Sequence, residues 1–181
     1  MTRRSWVAVG LFLLTVPGAA FADHAQHPAP VTDVVCLTTS AFSPHGGVVS
    51  AIATRLDAAQ QTIWVAAYSL THPDLVAALI AARGRGVVVV VKADKVQSAG
   101  AAQSAALAQL EAADIPVEVS TQSRLLHDKF AVIDGRWVIT GSFNWTASAE
   151  NRNRENLLIL DCPDLARNFT EEWDLILPGA P

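Results

Sequence analysis

The sequence has little charge, and less of the positive sign. Charged residues make up 17% of its 181 positions, and 13 Lys and Arg are outnumbered by 17 Asp and Glu, for a net charge of −4. A basic footprint over the whole chain is absent, so any grip on a polyanion has to come from a local cluster. Cysteine is scarce too, with Cys36 and Cys162 alone, near opposite ends. Two thiols without clustered histidines make a poor metal site, and no metal or cofactor is expected. In an oxidising compartment the pair can form a Cys36–Cys162 disulfide; two separately buried thiols are the alternative. There is no internal repeat, and no apolar run reaches the ~20 residues that a helix needs to cross a bilayer. Apolar residues nonetheless reach 51%, which excludes a disordered chain and leaves one globular domain with a sizeable core.

The beginning of the chain inflates that apolar share. Arg3 and Arg4 precede an apolar stretch over 6–16; Pro17 and Gly18 then break any helix, and Ala20-Phe21-Ala22 reads as a small-x-small cleavage site. This is the layout of a secretory signal peptide over 1–22, cleaved after Ala22, and it predicts a periplasmic or secreted protein without stable membrane association. An uncleaved anchor is the competing reading, and the run is short for one. The chain from residue 23 carries 11 basic and 17 acidic residues, net −6. Residues 23–33 are rich in Ala and Pro and read as a flexible leader with solvated His24 and His27. The folded domain is assigned to 34–177.

Strand-like and helix-like segments alternate past the leader. A β-prone run at 34–38 is followed by a Ser-Pro-His-Gly-Gly turn and by helical spacing over 48–60. A strand is expected at 62–68, then a helix at 74–83 with Pro73 at its first position. The five valines 87–91 read as a strand buried on both faces. A helix over 98–113 and a strand over 115–119 complete a β-α-β-α-β-α-β order. The fold class is therefore α/β: a single domain with a mixed, largely parallel sheet flanked by helices on both faces. The second half differs. Runs at 130–133 and 137–140 flank Asp134-Gly135, a two-residue hairpin signal. A strand at 157–160 and a closing amphipathic helix at 163–175 follow.

Pairing across such a turn sets Lys129 opposite Thr140 and His127 opposite Ser142. Residues two apart on a strand share a face, so His127, Lys129, Ser142 and then Asn144 would collect an imidazole, an ammonium, a hydroxyl and a carboxamide on one surface. Those groups suit holding and attacking a phosphate. Asp134 falls on the other face and reads as a turn-former whose carboxylate pairs with a nearby base. Glu155 is the nearest downstream acid able to orient the imidazole. Arg124, Lys129, Arg136, Arg152 and Arg154 lie in the same stretch, a local basic cluster in an acidic chain.

The spacing His127-x-Lys129-x4-Asp134-x6-Gly141-Ser142-x-Asn144 resembles the signature of the phospholipase D superfamily. Ala41-Phe42-Ser43-Pro44, Ala67-Tyr68-Ser69-Leu70 and Asn153-Arg154-Glu155-Asn156 extend the likeness to its short, single-motif bacterial endonucleases over residues 34–175. The resemblance implies a metal-independent phosphodiesterase acting on DNA or RNA. It implies a homodimer, because two motif copies build one active site in that family. His127 and Lys129 would be catalytic with Glu155; Lys129, Ser142 and Asn144 would bind phosphate; Asp134 and Gly141 would support. A lipid phosphodiesterase of the same chemistry and a non-catalytic binding module are the alternatives. A Ser142 hydrolase is discounted because the Gly-x-Ser-x-Gly elbow is missing.

Overall fold

A computed structural model describes residues 27–176. The segment 1–22 read as a signal peptide and residues 23–26 of the expected leader, His24 included, lie outside the described residues. Seven strands form one sheet, ordered β1-β7-β6-β5-β2-β3-β4. They are β1 (Leu37–Ser43), β2 (Thr62–Ala67), β3 (Val88–Ala93), β4 (Val117–Val119), β5 (Lys129–Ile133), β6 (Trp137–Gly141) and β7 (Glu155–Asp161). The helices are α1 (Val48–Asp57), α2 (Pro73–Gly84), α3 (Lys95–Ser98), α4 (Ala101–Ala112), α5 (Ala147–Asn151) and α6 (Pro163–Leu175).

The sheet is mixed, and its parallel part is confined to β2-β3-β4. Helices bridge those strands, as parallel neighbours require. The β1–β7, β7–β6, β6–β5 and β5–β2 pairings are antiparallel. The alternating order along the first half suggested more parallel pairing than this. It misled because β1 does not join β2; it adds to the far edge beside β7, a placement that no local pattern encodes. The helix expected over 98–113 is two helices, α3 and α4, separated at Gly100.

One face of the sheet packs on α1, α2 and α4 through Ile52, Leu56, Leu75, Leu79, Leu107 and Leu110 against Val65, Val89, Val91 and Ile139. The other packs on α6, where Trp173 and Ala166 meet Phe130, Val132 and Val138. The valine run is not buried throughout: Val89 and Val91 are core, but Val88 is 46% exposed at the start of β3. The smaller cluster on the α6 side reaches β7 at Leu160 but leaves Phe42 62% and Leu158 38% exposed. A disulfide joins Cys36, just before β1, to Cys162, the residue before α6.

Lys92 is buried and ends α6 from beneath: its Nζ donates to the carbonyls of Trp173 (2.9 Å) and Ile176 (2.8 Å). Burial holds its pKa below the usual lysine value, against the raising charge of Glu118.

Candidate active site

The β5–β6 hairpin sets the site, and its turn is not the one the Asp-Gly pair suggests. Ile133 pairs with Trp137 and Phe130 with Thr140, so the loop has three residues, Asp134, Gly135 and Arg136. Asp134 (φ 53°) and Gly135 (φ 60°) are both left-handed, a conformation that Asp and Gly tolerate better than other residues. The Asp134 carboxylate does not pair with a base. It accepts the backbone N–H groups of Gln60 (3.0 Å), Gln61 (2.7 Å) and Thr62 (2.9 Å), and its own N–H donates to the Thr62 carbonyl at 2.9 Å. The turn is thereby tied to the start of β2.

The longer loop shifts the register by one. Continuing the ladder past Phe130–Thr140 brings Lys129 opposite Gly141, not Thr140, and His127 is no longer paired with Ser142. At Gly141 the backbone turns to φ +151°, and a Cβ there would sit 2.3 Å from the Asn156 carbonyl oxygen. Only glycine allows β6 to lie so close to β7. The chain leaves Gly141 aimed at β7, and Ser142 goes with it: its hydroxyl donates to Glu155 Oε2 (2.5 Å) and accepts from the Asn156 N–H (3.1 Å).

His127 lies ahead of β5 and is exposed, yet it opens with Lys129 on one cleft of about 450 Å³. Thr140 and Gly141 form one wall, and Asn168, Phe169 and Glu172 of α6 form another. Lys129 Nζ donates to the His127 carbonyl at 2.6 Å. Burial lowers the Lys129 pKa, while the charges of Asp128 and Glu155 pull it back up. Asp128 shares the cleft, and its pKa is raised by burial and by Glu172.

The other expected residues arrive differently. Ser142 and Asn144 do not line this cleft; the side-chain oxygen of Asn144 is buried without a hydrogen-bond partner among the described residues. Glu155 does not orient His127 within the chain. Its two oxygens accept from Ser142 and from Asn153 Nδ2 (2.9 Å), and it reaches the site as a charge acting on Lys129. His27 is not a bare solvated residue: Nδ1 lies 2.7 Å from Glu172 Oε2, and the next turn of contact is Asn168 Nδ2 donating to the Ala29 carbonyl at 2.8 Å. The end of the leader is thus held on α6 at the rim of the cleft.

Two residues escaped the sequence reading. Tyr68, the sole tyrosine of the chain, packs its ring against His127, with centroids 4.6 Å apart. Asp94, 1% exposed, caps α3 at the Gln97 N–H (2.9 Å) and accepts the Leu126 N–H (3.1 Å), fixing the loop just before His127. For Tyr68 the signals were a lone tyrosine closing a strand and its place in the Ala67-Tyr68-Ser69-Leu70 likeness; for Asp94 the contact with Leu126 lies 32 positions along the chain and left no local sign.

The family model described as cardiolipin synthase, PLD-like domain matches residues 52–176. The chain belongs to this phospholipase D-like family. It is 34% identical to a solved phospholipase D family member, Nuc from Salmonella typhimurium, and superposes with a TM-score of 0.76 over 78% of this chain and 94% of that one. It is 35% identical over 135 residues to a protein named phospholipase D from Rickettsia conorii, covering 75% of this chain and 66% of that protein's length. A mitochondrial cardiolipin hydrolase of Xenopus tropicalis is 33% identical over 153 residues, 81% of this chain and 72% of that one.

Proposed function

We propose that this protein is an exported phosphodiesterase that cleaves nucleic acid internally, without a metal, through a phosphohistidine intermediate. One observation carries the choice of substrate. Three arginines near the His127–Lys129 pair in space or in sequence form no ion pair among the described residues. Arg124 lines an adjoining cleft that shares Asp128 and Glu172 with the first. Arg152 and Arg154 are exposed on the loop leading into Glu155. None of the three forms an ion pair among the described residues, whereas Arg136 is paired with Asp161 and Arg167 with Asp164. A row of phosphates rewards several separated cations; a single headgroup needs fewer.

In the mechanism we favour, a ring nitrogen of His127 attacks phosphorus, the P–O bond to the leaving group breaks, and the leaving oxygen takes a proton from His127 of a second copy. Water then attacks phosphorus, that second imidazole accepts its proton, and the P–N bond breaks. Lys129 from each copy stabilises the charge on the non-bridging oxygens. Since this chain offers one such His–Lys pair, a homodimer completes the site. The exposed Phe42 and Leu158 beside Thr140 supply an apolar face for that second copy. One imidazole has to be neutral while its mate is protonated, so the rate is expected to be bell-shaped in pH.

A lipid phosphodiester is the second reading, favoured by the exposed Leu125 (55%) three residues from Lys129's neighbour Asp128 and by the names of the relatives. The deciding assay offers duplex DNA, single-stranded DNA, RNA and phosphatidyl substrates in excess EDTA, to wild type and to His127→Ala. Nucleic-acid cleavage that survives EDTA and vanishes in the variant is expected. Turnover of the phosphatidyl substrate alone would replace the nuclease assignment, and loss of activity in EDTA would end the metal-free mechanism. Fractionation of the producing cell, with the protein retained in the cytoplasm, would refute export.

A further inference from the structure

His127 poses a problem of support. It precedes β5, it is exposed, and its ring nitrogens make no hydrogen bond among the described residues. Lys129 has a long side chain that many rotamers could carry away from the cleft. A nucleophile and a phosphate-binding ammonium need fixed positions, because a displacement of ~1 Å in a reacting group can cost about 100-fold in rate. Glu155, the acid expected to orient the imidazole, is occupied by Ser142 and Asn153.

One side chain touches both groups. The Tyr68 ring lies 4.6 Å from the His127 ring, tilted by 58°, and 4.9 Å from Lys129 Nζ. Tilted aromatic pairs and an ammonium above a ring face are both attractive contacts. Tyr68 is itself held at three polar points. Its N–H donates to the Asp128 carbonyl (2.8 Å), its carbonyl accepts from Gln103 Nε2 (3.3 Å), and its hydroxyl accepts from Gln97 Nε2 (2.9 Å). Gln97 in turn has its N–H capped by Asp94. Tyr68 belongs to neither core cluster, so packing of the core does not account for the ring.

We propose that Tyr68 is a positioning residue: its ring, steadied by Gln97, holds the His127 imidazole and the Lys129 ammonium in their working orientations. The catalytic consequence rests on the phosphodiesterase reading; the orientation itself does not.

The test therefore has two parts. Because Tyr68 is the sole tyrosine, ring-to-ring nuclear Overhauser contacts with His127 can be sought in the wild-type protein, with His127 assigned by difference from His127→Asn. The Tyr68→Leu variant is expected to shift the His127 Cε1–H resonance as the ring current disappears, and Tyr68→Phe to leave it near its wild-type place. With bis(4-nitrophenyl) phosphate, kcat of Tyr68→Leu is expected to fall about 10- to 100-fold with KM changed little, and Tyr68→Phe to recover most of it. Absence of the wild-type contact overturns the proposal even if Tyr68→Leu fails to fold. Equal kcat in wild type and Tyr68→Leu overturns it as well. A wild type that hydrolyses no phosphodiester, with the contact present, refutes the function and leaves the orientation standing.

Discussion

Asp134 separates a motif residue from a chemical one, and the Asp134→Asn variant measures the difference. The carboxylate accepts three successive backbone N–H groups, from Gln60, Gln61 and Thr62. Hydrogen bonds to a charged acceptor contribute roughly 1.5–3 kcal/mol each. Asparagine keeps one oxygen acceptor and tolerates the left-handed backbone (φ 53°), but it turns an NH₂ group toward a donor and loses the charge. Gln60 and Gln61 are exposed, so water replaces part of what they lose. The net cost should be about 2–4 kcal/mol, a large share of the roughly 5–15 kcal/mol of a typical domain. For a domain of this size that lowers Tm by on the order of 5–15 °C. Thermal melting followed by far-UV circular dichroism reads the first half. Phosphodiester turnover, measured well below the lowered Tm, reads the second and should stay within about threefold of wild type. His127→Asn should do the reverse, keeping Tm and losing turnover. An Asp134→Asn protein that melts like wild type yet turns over no substrate would refute this assignment of roles.

The remaining predictions concern the cleft and its borders. Half-burial lowers the Lys129 pKa, so its ammonium, followed directly by NMR of its Cε–H resonance and apart from the imidazole-controlled rate profile, should lose its proton below pH 10.5. Asp128→Asn removes a charge that raises that pKa and should lower the Lys129 titration midpoint; a midpoint that rises or stays refutes the coupling. Burial raises the Asp128 pKa, so its ionised form costs stability above the ordinary carboxylate range and costs nothing once it is protonated in both states. Asp128→Asn should therefore raise the urea midpoint at neutral pH and leave it unchanged near pH 3, and an equal gain at both would contradict this. Gly141→Ala places a Cβ 2.3 Å from the Asn156 oxygen at φ +151° and should cost about 3 kcal/mol or more in urea unfolding; a loss under ~0.5 kcal/mol would show that β7 gives way. Arg152→Ala and Arg154→Ala should each lower the salt slope of DNA binding by about 1 if the side chain meets a phosphate, and an unchanged slope removes that arginine from the path.

Much of this was legible in the residues. Hydrophobic periodicity located most helices and strands, because burial of one stripe or one face is a local demand on composition; the run expected at 34–38 meets β1 (Leu37–Ser43) only at Leu37 and Thr38, since this largely exposed edge strand is placed by its pairing with β7. The His127-x-Lys129 spacing and the family likeness it carries are likewise local. The small helix α5 passed unseen, since five residues are too few to show a period. Gly100 splits the alanine-rich stretch, and an interior glycine was too weak a breaker to register.

The failures share one cause. Where β1 lies, how long the β5–β6 turn is, where Ser142 points and which group steadies His127 are all decided by partners far along the chain. Asp134 takes its turn conformation with its carboxylate on Gln60 to Thr62, across 72 to 74 positions. Ser142 is redirected by the close approach of β7 at Gly141, and Glu155 goes with it. The sequence alone therefore determined most of the elements, the family and the His127–Lys129 pair proposed to carry the chemistry, because these depend on residue type and short spacing. The tertiary structure alone decided which groups meet them, because a shift of one residue in strand register changes every cross-strand neighbour at once.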